Sequence, residues 1–129
     1  VFNHGNMSRD FTYIDDIIDG IVKVLALNAD TPVVKTKVGC IDNPSDFNIY
    51  NIGNNSPISL MEFIETIETS IGKKAEKNFL PMQDGDVVST YADVSGLIND
   101  FGYKPDTKLA DGIGEFVKWY REFYGDKNE

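Results

Sequence analysis

At 129 residues, 41% apolar and 26% charged, the chain is one domain's worth of polypeptide with enough apolar content for its own core. Its net charge of −9 argues against nucleic acid and anionic membranes as partners, and no apolar run approaches the ~18 residues of a membrane span. One cysteine, Cys40, excludes an internal disulfide and fits a reducing cytoplasm; with the one histidine, His4, it falls short of the usual zinc ligand set.

Val1 is not an initiator methionine and no signal peptide is present, so a piece cut from a longer protein is expected. Val1 to Gly5 reads as the end of a strand entering a glycine turn. Ser8 to Asp19 (SRDFTYIDDIID) reads as loop, short strand over Phe11–Ile14, then helix start. Asp16 suits the N-cap, and Asp19 can reach back like the acidic half of a capping box, both at the positive end of the helix dipole. Arg9 is a fixed cation at the mouth of this stretch. An anionic ligand meets repulsion from so acidic a chain and needs a local pocket of donors, so Arg9 is expected to face something doubly negative.

The helix runs from Asp16 to Leu27, with Ile17, Ile18, Ile21, Val22 and Leu25 on one face. Gly20 inside it costs ~1 kcal/mol against alanine, which implies something close to its backbone. Residues 28–46, with prolines, a glycine and lysines, read as a surface loop. Phe47–Ile52 alternates as a strand, broken by Gly53–Pro57. Ser59 and Glu62 form a capping box; Leu60, Ile64, Ile67 and Ile71 follow at helical spacing, and Gly72 closes the helix.

Lys77–Leu80 reads as a short strand, Asp84-Gly85-Asp86 as a turn, and Thr90–Ala92 as extended. Asp93 caps a brief helix through Phe101, ended by Gly102. The last helix, Leu109 to Tyr124, buries a face of Ile113, Phe116, Val117, Tyr120 and Tyr124. In so acidic a chain, Trp119, Tyr120 and Tyr124 read as core or subunit packing and not as a base-stacking platform. Asp15, Asp16 and Asp19 lack the spacing of a calcium loop, and no metal site is expected. His4 and Cys40 are given no catalytic role.

Five stretches carry a resemblance. They are Gly5 with Ser8-Arg9-Asp10-Phe11-Thr12-Tyr13-Ile14-Asp15-Asp16; Tyr50-Asn51-Ile52-Gly53-Asn54; and Met82-Gln83-Asp84-Gly85-Asp86 with Thr90-Tyr91-Ala92-Asp93. Gly102-Tyr103-Lys104-Pro105 and Gly112-Ile113 with Phe116-Val117-Lys118-Trp119-Tyr120 complete the set. In this order they resemble the C-terminal part of the extended short-chain dehydrogenase/reductase (SDR) family of nucleotide-sugar epimerases and dehydratases. The wording is most similar to the UDP-glucuronate 4-epimerase branch.

The resemblance implies an α/β fold class: the C-terminal substrate-binding portion of a Rossmann-type enzyme, with short strands between helices and the Rossmann core absent. Residues 1–129 would form one UDP-sugar-binding segment, with 13–53 completing the edge of the missing NAD-binding domain. It implies NAD held by that missing N-terminal part, a UDP-sugar as partner, a cytoplasmic homodimer, and interconversion of UDP-glucuronate and UDP-galacturonate. A UDP-N-acetylhexosamine epimerase, a 4,6-dehydratase and a non-catalytic nucleotide-binding module stay open. The chain has neither a G-x-x-G-x-x-G fingerprint nor a Tyr-x-x-x-Lys pair, so taken alone it is expected to be catalytically inactive.

Residue by residue, Arg9 matches the arginine that contacts the substrate diphosphate; its rival reading is a surface pair with Asp10 or Asp16. Asp86 matches the carboxylate that accepts hydrogen bonds from ribose hydroxyls, and could equally cap a turn. Gln83 stands where many 4-epimerases carry a second phosphate-binding arginine. Leu60 matches an apolar residue near the uracil, with helix packing as its rival. Phe11 replaces a ligand-touching tyrosine, and losing the hydroxyl favours a structural role.

Overall fold

The computed structural model describes residues 1–27 and 49–125. The expected surface loop, Cys40, and residues 47 and 48 of the expected strand lie outside them. The regular elements are β1 (Ser8–Arg9), α1 (Ile14–Leu27), β2 (Ile58–Ser59), α2 (Leu60–Ile71), α3 (Ser95–Phe101) and α4 (Leu109–Tyr124).

The chain opens in a single tight turn over Phe2–Gly5, and not in the end of a strand. Asn3 and His4 take φ of 48° and 51° and Gly5 takes 85°, a left-handed run that no strand accommodates. Lys77–Leu80 is likewise no regular strand. It is tied to the first residues by backbone bonds from His4 N–H to the Leu80 carbonyl and from Leu80 N–H to the Val1 carbonyl. The strand expected at Phe11–Ile14 falls instead on Ser8–Arg9.

β1 pairs antiparallel with β2, Ser8 opposite Ser59 and Arg9 opposite Ile58, and Ser8 also bridges Ser89 in parallel. The Ser8–Arg9 segment therefore lies between two others. α1 begins at Ile14, with Ile17 N–H bonded to the Tyr13 carbonyl, so Asp16 is not the N-cap. Its Oδ2 accepts instead from Thr107 N–H, and Asp19 pairs with Lys23 one turn on. These distant and local partners outcompete the capping geometry.

The main core is Val94, Leu97, Phe101 and Tyr103, with Val24, Tyr50, Ile52 and Ala92 packed against it. Tyr50 and Ile52 serve this core from an irregular segment and not from a strand. The Tyr103 ring crosses Gly20, where an added Cβ would stand 3.0 Å from the ring, and its hydroxyl donates to the Gly53 carbonyl at 3.0 Å. Burial pushes the Tyr103 hydroxyl up to about 12. The close approach expected at Gly20 is this ring.

Because α3 and Tyr103 take the Gly20–Val24 side of α1, the stripe of Ile14, Ile18, Ile21, Val22 and Leu25 faces outward. α2 carries an N-cap and a C-cap where expected: Ser59 Oγ accepts from Glu62 N–H at 3.1 Å, and Gly72 takes φ 79°; the Glu62 carboxylate makes no return bond to Ser59 N–H, so the expected capping box is half formed. α4 lies against α2, with Arg121 donating to the Ile71 carbonyl at 3.0 Å. Of the face expected inside, only Ile113 and Val117 are buried; Phe116, Tyr120 and Tyr124 pack with Trp119 and Phe123 on the outer surface. α2 covers only one edge of that broad apolar face. α3 opens one residue later than expected, after Val94, although Asp93 Oδ1 does accept from the Ser95 N–H and hydroxyl; Gly102 ends it at φ 63°.

Candidate functional site

Three consecutive residues, Ser8, Arg9 and Asp10, draw the site together. Ser8 N–H donates to the Val88 carbonyl at 3.0 Å, and Thr90 N–H returns to the Ser8 carbonyl at 3.2 Å. The Ser8 and Ser89 hydroxyls meet at 2.7 Å. This ladder brings the segment after the Asp84–Asp86 turn alongside β1.

Arg9 then reaches along that segment. Its Nη1 donates to the Ser8 carbonyl at 2.8 Å and the Val88 carbonyl at 3.3 Å, and its Nη2 to Asp86 Oδ1 at 2.8 Å. A guanidinium has five N–H groups. The Nε–H and the second Nη2 N–H bond nothing among the described residues. The two side chains are 25% and 35% exposed, so those donors lie where a ligand can reach them.

Asp86 Oδ1 also accepts from Val87 N–H at 2.8 Å, and Asp86 N–H donates to the Gln83 carbonyl at 3.2 Å, closing a turn with Gly85 at φ 82°. Asp86 is thus both a turn carboxylate and the partner of Arg9. The rival pairings of Arg9 with Asp10 or Asp16 do not form.

Asp10 is occupied otherwise. Its Oδ1 accepts from Asn54 N–H and Ser56 N–H, both at 3.2 Å, and its Oδ2 from Asn55 N–H and Ala92 N–H, both at 3.1 Å. Four backbone amides around one carboxylate fix the 54–56 turn and residue 92 to β1. Gly53 permits this closure, since a Cβ there would stand 2.3 Å from Ala92 Cβ and 2.9 Å from Asp10 Oδ2. A shallow cavity of about 260 Å³ opens beside the knot, lined by Asp10, Asn51, Ile52, Gly53, Thr90, Tyr91 and Ala92. Arg9 and Asp86 do not line it, and its carboxylate already has four donors.

No family model matches the chain. Individual proteins do. Protein CapI of Staphylococcus aureus is 47% identical over 128 residues, covering 96% of this chain and 38% of that protein. A probable UDP-glucuronate 4-epimerase of Rhizobium meliloti is 37% identical over 127 residues, again 96% of this chain and 37% of that protein. The structure of UDP-glucuronic acid 4-epimerase from Bacillus cereus, in complex with UDP-glucuronic acid and NAD, matches with a TM-score of 0.73 at 33% identity, over 96% of this chain and 35% of that one. The chain matches the C-terminal part of an extended SDR. It spans little more than a third of the length of these curated relatives.

Within the chain the residues singled out from the sequence fall into two groups. Arg9 and Asp86 come into contact across 77 positions of chain, and Gln83 shares the Asp86 turn with its side chain exposed. Leu60 lies just past β2, half-buried, its N–H bonded to the Met7 carbonyl. Phe11 stacks face to face on Phe63 at 4.0 Å, which commits its ring to packing against α2.

Two further carboxylates act as hubs that the sequence does not announce. Asp10 gathers amides from 44 to 82 residues away, and no local pattern announces them. Glu68 is buried at the end of α2, where Lys74 (2.7 Å), Lys77 and the Ala75 N–H (3.0 Å) hold it. The two ammonium donors and the amide pull its carboxyl down to about 2. The lysine-rich run after Gly72 was the available signal.

Proposed function

We propose that this chain is the UDP-sugar-binding portion of an NAD-dependent nucleotide-sugar 4-epimerase that interconverts UDP-glucuronate and UDP-galacturonate. The observation that carries the reading is Arg9: a half-buried cation with two N–H donors that bond nothing among the described residues, in a chain similar over nearly its whole length to UDP-glucuronate 4-epimerases. A guanidinium fork suits phosphate oxygens and keeps its charge at any working pH. Arg9 takes the diphosphate, Asp86 the ribose hydroxyls, and Gln83 adds an uncharged donor beside them. Leu60 borders the base, and Phe11 supports the wall through Phe63.

The chain supplies grip and not hydride chemistry. NAD and the proton-transferring residues belong to a further part of the protein, since this sequence lacks both the glycine fingerprint and the Tyr-x-x-x-Lys pair. The outward apolar stripe of α1 supports placing this helix against that NAD-binding part. Calorimetric titration with UDP and UDP-glucuronate tests the reading. Both ligands bind the native chain, and Arg9→Ala weakens them at least about 100-fold, the scale of a lost charge-assisted pair. Unchanged affinity in the variant overturns it.

A further inference from the structure

Arg9 and Asp86 do more than sit side by side: each takes up part of what the other would offer a ligand, one guanidinium N–H and one carboxylate oxygen. The carboxylate oxygen on Nη2, 2.8 Å away, puts a negative charge where a phosphate oxygen would approach. A bare anion therefore meets repulsion from Asp86 as well as attraction from Arg9. Asp86 is nevertheless lightly held. Its acceptor bonds are the Arg9 N–H and the Val87 N–H, both on Oδ1, and it rides an exposed turn hinged at Gly85. Asp10, one residue from Arg9, is instead pinned by four amides and cannot yield.

We propose that the Arg9–Asp86 pair is a two-key specificity filter that opens only to a ligand carrying both a phosphate group and a neighbouring diol. The diol's O–H groups give Asp86 the donor it surrenders when it leaves Nη2, while the phosphate takes the freed Nη2 N–H together with the two guanidinium donors that bond nothing among the described residues. Each charge exchanges one partner for another, and neither is left unpaired. A phosphate without a diol leaves Asp86 unpaid and opposed; a diol without a phosphate leaves Arg9 bound to Asp86. The filter rests on the assignment of Arg9 and Asp86 to a UDP-sugar site, and makes Asp86 the residue that rejects free inorganic anions.

The test is titration of the full chain and its Asp86→Asn variant with inorganic pyrophosphate, UDP and 2′,3′-dideoxyuridine diphosphate. The asparagine keeps an Oδ1 acceptor for Val87 N–H, so the turn is preserved. In the native chain UDP binds at least about 10-fold more tightly than its dideoxy analogue. The variant binds pyrophosphate about 10-fold more tightly than the native chain does, the scale of one relieved like charge, and distinguishes UDP from the dideoxy analogue less sharply than the native chain, because its neutral amide oxygen accepts more weakly from the hydroxyls. A pyrophosphate affinity that is unchanged or weaker in the variant, with native UDP binding intact, overturns the filter alone. Absence of UDP binding by the native chain overturns the proposed function and the filter together.

Discussion

Glu68 and Asp86 are both carboxylates that face cations, and their surroundings are opposite. The Glu68 side chain is 3% exposed, with both oxygens filled by two ammonium groups and an amide. The Asp86 side chain is 35% exposed, uses one oxygen, and pairs with an arginine that keeps donors in reserve. Saturated and buried, Glu68 ties the 74–77 return onto α2. Open and, among the described residues, unsaturated, the Arg9–Asp86 pair contributes little to folding and keeps donors and an acceptor uncommitted. Asp10 belongs with Glu68 in kind, although it sits beside Arg9. The site is thus an adaptable pair mounted on a fixed one.

The largest effect should come from the fixed partner. Asp10→Ala leaves four backbone N–H groups without their acceptor, at ~1–3 kcal/mol for each that water cannot reach, so roughly 3 kcal/mol or more of stability is lost. The urea midpoint measures it. A loss below ~1 kcal/mol would show that water replaces the carboxylate and that Asp10 is no keystone.

Glu68 sharpens the contrast through pH. Its carboxyl lies at about 2 in the fold against an ordinary 4.5, so the folded state favours the ionised form. Its stabilising contribution is fully present above about pH 5 and fades as pH falls toward 2. The difference in urea midpoint between the native chain and Glu68→Gln should therefore shrink steadily across that window. A difference that stays constant would mean the two lysines do not hold Glu68 as described. The smallest change in stability belongs to Arg9→Ala, about 1 kcal/mol or less for an exposed pair, although under the proposed function the same substitution weakens UDP-sugar binding. A large stability loss there would erase the distinction between the two kinds of site.

Much of the architecture was legible locally. The caps at Ser59, Gly72 and Gly102, the extents of α2 and α4, and the demand of Gly20 for a close neighbour all follow from a few adjacent residues. The ordered motifs also marked Arg9 and Asp86, whose meeting the structure displays. The start of α1 was misplaced because Asp16, a good cap by type, is engaged by Thr107 from 91 residues away.

By itself, then, the amino-acid order determined where most helices run and stop, and it singled out Arg9 and Asp86 as two side chains to look for together. The tertiary structure alone decided that Arg9 pairs with Asp86, that Asp10 collects four amides, and that α1 and α4 turn much of their apolar surface outward. The physical reason is range. Helix propensity and capping act over one turn of chain, whereas the pairing of a carboxylate or the covering of an apolar face depends on segments that meet only when the whole chain has folded.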